Sequence, residues 1–334
     1  MSVYNGERFL RQAIESILNQ TYQEFDFVIY DDCSTDGTAD IINSYKDSRI
    51  IYRRNEQNQG LTKNLADGVA KATTDYIVRM DADDIAYPYR LHRQLEWMDN
   101  HKEISISGSS VSYFNVIPGD MGVALQPEDD ATIKALLFTS FTLLHPSIII
   151  RRVDLIRNRL NYDPNFRYSQ DHALYLNCIR VGLKFGNIKE PLLYMRAHNG
   201  SISRALHGPQ QECSQRARHN FIMATSIAQC CSKEEISVYN SFALGVFPDT
   251  IEKVRAYERF VFKVCANPIT ANYFDVNVLQ RCLSEKLVRG SYHVMGEKGL
   301  KRVAWCARRS KLMPYCERWS YKLCFKFYLK FLFK

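Results

Sequence analysis

The chain has 334 residues, 46% hydrophobic and 24% charged, the composition of a folded protein with a sizeable core rather than of a disordered or fibrous chain. Its net charge is +8, yet residues 301–334 hold ten Lys or Arg against one acid, Glu317, so the tail carries +9 and residues 1–300 carry −1. That balance argues against a nucleic-acid-binding body; apolar runs short of the ~18 residues of a membrane span argue against a crossing helix, and ten cysteines without C-x-x-C spacing argue against zinc or a disulfide framework.

The first residues, Met-Ser-Val-Tyr-Asn-Gly-Glu, lack a signal-peptide pattern, so a cytoplasmic protein is expected. Arg8–Asn19 sets Phe9, Leu10, Ala13, Ile14, Ile17 and Leu18 at helical spacing, with Asn5 as the expected N-cap. Phe25–Tyr30 is an apolar run of strand length, and the polar loop Asp31-Asp-Cys-Ser-Thr-Asp-Gly37 follows it. A helix is predicted over Thr38–Tyr45, a strand over Arg49–Tyr52 and a helix over residues 61–71. Tyr76–Met80 reads as a buried strand, Pro88–Asn100 as a helix, and Ile104–Ser110 and Leu143–Ile150 as later strands. Asp171–Val181 has Leu174, Cys178 and Val181 on one helical face and stops at Gly182. Residues 205–300 are mainly helical in pattern, with breakers at Pro248, Pro268 and Gly290. The alternation predicts an α/β fold, β-α-β units around a mostly parallel, Rossmann-like sheet flanked by helices. The expected domains are 1–204, a helical region 205–300 and a basic tail 301–334.

The strand at Tyr76 ends in three carboxylates within four positions, Asp81, Asp83 and Asp84. Carboxylates this close repel one another unless something neutralises them. Mg²⁺ and Mn²⁺ prefer such hard oxygen ligands, with substrate phosphates completing the shell; the other reading is a solvated acidic turn ahead of the Pro88 helix. Asp31 and Asp32 end an earlier strand, as ligand contacts or as helix-capping loop residues. Ligands of open α/β sheets bind outside the carboxyl ends of the strands, so both acidic loops are expected to face one crevice. Asp171 read by itself suits a charge favouring its helix N-terminus. His145 before Pro146 reads as a structural histidine, and Cys33 as small filler.

These residues belong to an ordered set of motifs: Ser2-Val-Tyr-Asn-Gly-Glu7, Ser16-Ile-Leu-Asn-Gln-Thr-Tyr22, Asp31–Gly37, Asn58-Gln-Gly-Leu61, Met80-Asp-Ala-Asp-Asp84, His145-Pro-Ser147, Gln170-Asp171, and Tyr194-Met-Arg-Ala-His198 running into Ser201-Ile-Ser203. Over roughly residues 2–203 the chain resembles the inverting family 2 glycosyltransferases of bacterial cell-surface polysaccharide synthesis, which have the GT-A fold and use nucleotide-diphosphate sugars. The resemblance implies a base-holding role for Asp32 with Asp31 beside it, and further nucleotide contacts at Tyr4 and Glu7. It makes Asp81-Ala82-Asp83 the D-x-D motif that holds the metal and the donor diphosphate, extended by Asp84; which of the three carboxylates ligates stays open. It places the general base at Asp171, a donor-facing cation at Lys63, and a closing loop at Arg196 and His198. Two features depart from the pattern: only Met1-Ser2-Val3 precede the Tyr-Asn motif, a short first strand, and Gln170 stands where many relatives have Glu.

The expected activity is inverting transfer from a nucleotide sugar, a UDP-sugar by preference, to a hydroxyl of a glycan or lipid-linked acceptor, with Mn²⁺ or Mg²⁺, in lipopolysaccharide, capsule or O-antigen synthesis. A non-catalytic nucleotide-sugar-binding subunit and a sugar-phosphate nucleotidyltransferase are the alternatives. In the tail, Lys322, Lys326, Lys330 and Lys334 fall four apart against aromatic and aliphatic residues. On a helix these form one cationic stripe, which suits an interfacial helix on anionic lipid through residues 319–334, peripheral on the cytoplasmic face of the inner membrane. The other reading is a packed C-terminal helix with its lysines in water.

Overall fold

The computed structural model describes residues 1–140, 142–198, 207–293, 307 and 310–316. Most of the tail, Ser201-Ile-Ser203 and the expected boundary at 204–205 lie outside them. The chain divides into two units, residues 1–133 with 142–213, and residues 134–141 with those from 214 onward.

The first unit begins with β1 (Ser2–Val3), α1 (Leu10–Leu18), β2 (Phe27–Asp31), α2 (Thr38–Ser44), β3 (Ile50–Arg54), α3 (Leu61–Lys71) and β4 (Tyr76–Val78). Helical crossovers let β1, β2 and β3 pair in parallel, as such connections require. β5 (Ile85–Ala86), α4 (Arg90–Asn100), β6 (Ile106–Phe114), β7 (Val123–Ala124), α5 (Asp130–Thr139, which belongs to the second unit from Lys134 on), β8 (Ile149–Arg151), α6 (Arg152–Arg157), α7 (Gln170–Arg180) and β9 (Phe185–Arg196) follow. The second sheet runs β4-β8-β6-β9-β5, with β7 on β6. A parallel bridge from Ser2 to Asp81 joins it to the first sheet. The ends of β1 and β2 and the chain leaving β4 therefore lie side by side.

Helix α1 shows why sequence becomes position here. Leu10, Ala13, Ile14 and Ile17 repeat on one face and are buried against Val3, Phe27, Ile29 and Met80. Each large aliphatic side chain so buried contributes roughly 1.5–3 kcal/mol. That packing fixes the β1–α1 turn, and with it Tyr4 and Glu7.

The α/β class and the helical C-terminal region are as expected, but only β1, β2 and β3 form a wholly parallel sheet, and the second sheet is mixed. β6 pairs with β9 in parallel, whereas β8 runs antiparallel to β4 and β6, β5 to β9, and β7 to β6. A short loop joins β4 to β5 and a hairpin joins β6 to β7, while the helices between β5 and β9 connect strands that are not neighbours in this sheet, so no β-α-β crossover sets the pairing. Three local expectations also change. Asn5 does not cap α1; it sits at φ 51 and its Oδ1 accepts from the Thr35 N–H at 2.9 Å. Residues 143–150 are not one strand, because His145–Ser147 forms a 3₁₀ turn led by Pro146 ahead of β8.

The second unit contains most of α8 (His207–Thr225), then α9 (Lys233–Ala243), α10 (Ile251–Ala266) and α11 (Val276–His293). Ser232 and Glu235 close a reciprocal capping box on α9. Tyr239 stacks on Phe260 at 4.4 Å between ring centres. Gly290 is the third correction: it lies inside α11, where an added Cβ would come within 3.0 Å of Phe247 and 3.1 Å of Phe242. It is there for space, not to break the helix. No described helix is long and apolar enough to cross a membrane.

Candidate active site

Strand β4 ends at Val78, and the next six residues fold into the acidic station. Carboxylate oxygens of Asp81, Asp83 and Asp84 lie within 4.8 Å of one another. Each has one oxygen engaged: Asp81 Oδ1 by the Arg79 guanidinium, Asp83 Oδ2 by His198 Nε2 at 2.8 Å, and Asp84 Oδ1 by the Arg196 N–H at 2.9 Å. The second oxygen of each carboxylate has no donor among the described residues. Three hard oxygen donors facing one another suit Mg²⁺ or Mn²⁺. Burial, and then the charges of Asp81 and Asp83, push the Asp84 carboxyl well above the usual range; burial raises Asp81 too, against the pull of Arg79. A cation relieves that repulsion. The turn between the acids is Ala82, which packs on the core beneath.

Arg196, at the end of β9, ties the station together. Its Nε donates to the Asp83 carbonyl at 2.9 Å and its Nη2 to Gln12 Oε1 at 2.6 Å. The guanidinium lies 4.3 Å from the ring centres of both Phe9 and Phe114, a doubly stacked cation. His198 leans on Phe9 at 5.1 Å. Sequence motifs more than a hundred residues apart thus meet at one cluster.

At the end of β2 both acids are committed to the protein. Asp31, fully buried, accepts from the Ser34 N–H and the Tyr52 hydroxyl, each at 2.8 Å. Asp32 accepts from Asn55 Nδ2 at 2.7 Å and from the Gln59 and Gly60 N–H groups at 2.8 Å. It therefore pins the 55–60 loop, whose turn needs the φ of +85 that Gly60 adopts readily. Glu7 Oε2 accepts from the Gly37 N–H at 2.8 Å, locking the first turn to the second, while Tyr4 stays 53% exposed. Lys63 pairs with Asp67 on its own helix α3.

Asp171 stands in the first turn of α7, beside Ser169 at φ 51. It is 9% exposed, and its Oδ1 accepts from the His172 N–H at 2.8 Å. Burial raises its pKa, opposed by that hydrogen bond and by the Arg79 charge. His145 is held by the Tyr162 hydroxyl at 2.7 Å, and burial, with the Arg79 charge, drives its pKa down.

Two arginines of the site lie outside the sequence motifs. Arg79 is 7% exposed, and its Nε and Nη1 lack a partner among the described residues. Arg90, fully buried, donates from Nη2 to the Arg79 and Pro146 carbonyls at 2.7 and 2.9 Å, and burial lowers its pKa to about 9. The one signal in the sequence is Arg79 itself, a cation inside an apolar run just ahead of three acids.

The family described as Glycosyl transferase family 2 matches residues 1–160. An uncharacterized glycosyltransferase of Methanocaldococcus jannaschii, MJ1057, is 37% identical over 207 residues, 60% of this chain and 70% of the relative. The Escherichia coli UDP-Glc:alpha-D-GlcNAc-diphosphoundecaprenol beta-1,3-glucosyltransferase WfaP is 30% identical over 208 residues, 61% of this chain and 78% of the relative. Among solved structures, S. aureus TarS residues 1–349 in complex with UDP-GlcNAc shares the fold at a TM-score of 0.57 and 17% identity, over 94% of this chain and 87% of TarS. Identity across the catalytic half, the fold and the ordered site together place this chain in glycosyltransferase family 2.

Proposed function

We propose that the site moves a sugar, with inversion, from a UDP-sugar to a hydroxyl of a glycan or lipid-linked acceptor in cell-surface polysaccharide synthesis. The observation that carries this reading is the three-carboxylate station of Asp81, Asp83 and Asp84, with a separate buried carboxylate, Asp171, in the same unit. Two acidic stations with different partners suit two tasks. The donor and acceptor in the name of WfaP, and the UDP-GlcNAc bound to TarS, support the same choice of substrates.

Asp81, Asp83 and Asp84 would hold Mn²⁺ or Mg²⁺, which when bound stabilises negative charge on a departing diphosphate. Asp171 takes the proton of the acceptor hydroxyl as that oxygen attacks the anomeric carbon opposite the leaving nucleotide. Its raised pKa makes it a stronger base than an exposed aspartate. Tyr4, Glu7 and the Asp32-pinned loop form the nucleotide end, and Arg196 with His198 covers the acids. No covalent enzyme intermediate is needed.

The test is a donor panel. Purified protein with Mn²⁺ and UDP-sugars should release UDP, and an acceptor product should show the inverted anomeric configuration by NMR. If no UDP- or dTDP-sugar is bound or hydrolysed, the proposal fails. UDP binding that persists while Asp171→Asn leaves every rate unchanged would favour a binding subunit instead.

A further inference from the structure

Between Glu103 and Glu128 the chain has a single charged residue, Asp120. Within this stretch β6 and β7 are joined by a hairpin that holds Val116, Ile117, Met121, Val123 and Leu125 in solvent, each between 53% and 77% exposed. Singly exposed apolar residues are ordinary; five in ten positions on one projection mark a contact surface. The hairpin is internally tied. Asp120 accepts from the backbone N–H groups of Asn115, Val116 and Ile117 at 3.0, 3.4 and 3.3 Å. The Tyr113 N–H donates to the Gly122 carbonyl at 2.8 Å, and the Met121 N–H to the Tyr113 carbonyl at 3.1 Å. Its backbone donors are thus largely satisfied before any partner arrives, as entry into an apolar medium demands.

We infer that this hairpin inserts its apolar tip into the interfacial layer of a lipid bilayer and so sets the crevice against the membrane. Its base is continuous with the site: Phe114 stacks under Arg196, and the Phe114 carbonyl accepts from the Ala197 N–H at 2.7 Å. Five side chains make a narrow projection, against about 20–30 residues and roughly 800 Å² per partner in a stable protein interface. The exposed Asp120 carboxylate limits the depth to the interface. The inference rests on a lipid-linked acceptor, and is distinct from the electrostatic contact expected of the basic tail.

The test is co-sedimentation of the full chain with phosphatidylcholine vesicles holding some phosphatidylglycerol, at about 1 M salt, where screening within about 3 Å suppresses the tail. Wild-type protein should sediment, and the V116S/I117S/L125S variant should lose binding by about tenfold or more, as lost apolar burial at the interface predicts. UDP release from the donor in solution should be equal in both proteins, which separates this idea from the transferase reading. An added tryptophan, Ile117→Trp, should shift its emission to the blue and be quenched by brominated lipid. Unchanged sedimentation of the triple variant overturns the inference, as does a hairpin-dependent dimer in light scattering with no vesicle binding.

Discussion

His198 Nε2 lies 2.8 Å from Asp83 Oδ2, so a residue just past β9 orients a carboxylate of the candidate metal station. Groups that orient a ligand from behind typically contribute 10–100-fold to metal affinity or activity when removed. We expect His198→Ala to weaken Mn²⁺ binding by about that factor in calorimetric titrations made with UDP present. Asp83→Ala should be at least as damaging. Equal Mn²⁺ affinity in His198→Ala and wild type would show that the contact plays no part in holding the ion.

Asp171→Asn should cut kcat by about 10²–10⁴-fold, the range for loss of a positioned general base, while donor KM and Mn²⁺ affinity stay near wild type. The pH profile has a defined sign. A base works only when deprotonated, and burial raises this carboxyl above its usual value. The acid limb of kcat/KM should therefore lie above the ordinary carboxylate range, with activity lost as pH falls through it. A wild-type kcat in Asp171→Asn would remove this residue from the mechanism.

Features with a local signature are legible in the sequence. Asp81, Asp83 and Asp84 crowd into four positions, so their mutual repulsion follows from chain adjacency alone. The periodic face of α1 is equally plain, and its burial follows. The partners of Asp32 are not legible, because two of its three donors are backbone N–H groups of Gln59 and Gly60, which every residue but proline possesses. Gly290 misleads for a related reason: glycine marks turns by its freedom, but here it makes room for Phe242 and Phe247. The antiparallel pairings of β8 depend on loop paths after β4, which periodicity does not encode.

Arg79 supplies the clearest coupling between stability and metal. Its guanidinium neutralises Asp81, and Arg79→Met leaves that acid facing Asp83 and Asp84 without its countercharge. Breaking a buried pair on one side commonly costs about 3–5 kcal/mol; since Asp81 keeps 32% side-chain exposure, the lower part of that range or less is expected. A divalent ion would restore the missing positive charge. Thermal midpoints should therefore show a larger Mn²⁺-induced rise in Arg79→Met than in wild type, and a smaller one in Asp81→Asn. Equal rises in all three proteins would mean that Arg79 and the ion do not share this charge.

Lys286 offers a test in the second unit. Its Nζ donates to the Thr139 and Ala243 carbonyls at 2.6 and 3.3 Å, and burial, helped by the Arg218 charge, lowers its pKa to about 8. An unfolded lysine titrates near 10.4. Between these values the native state has released a proton that the unfolded state still binds, so this group makes stability rise with pH. Below about 8 both states are protonated, and the buried cation imposes its full cost, on the order of 2 kcal/mol after allowance for partial solvent access. Lys286→Met removes the titration. Buried thiols such as Cys282, raised to about 11, pull the opposite way in both proteins and cancel in the comparison. Denaturant unfolding at several pH values should therefore show wild type gaining on Lys286→Met by about that amount across the window, and a constant difference would place the Lys286 pKa at its unfolded value.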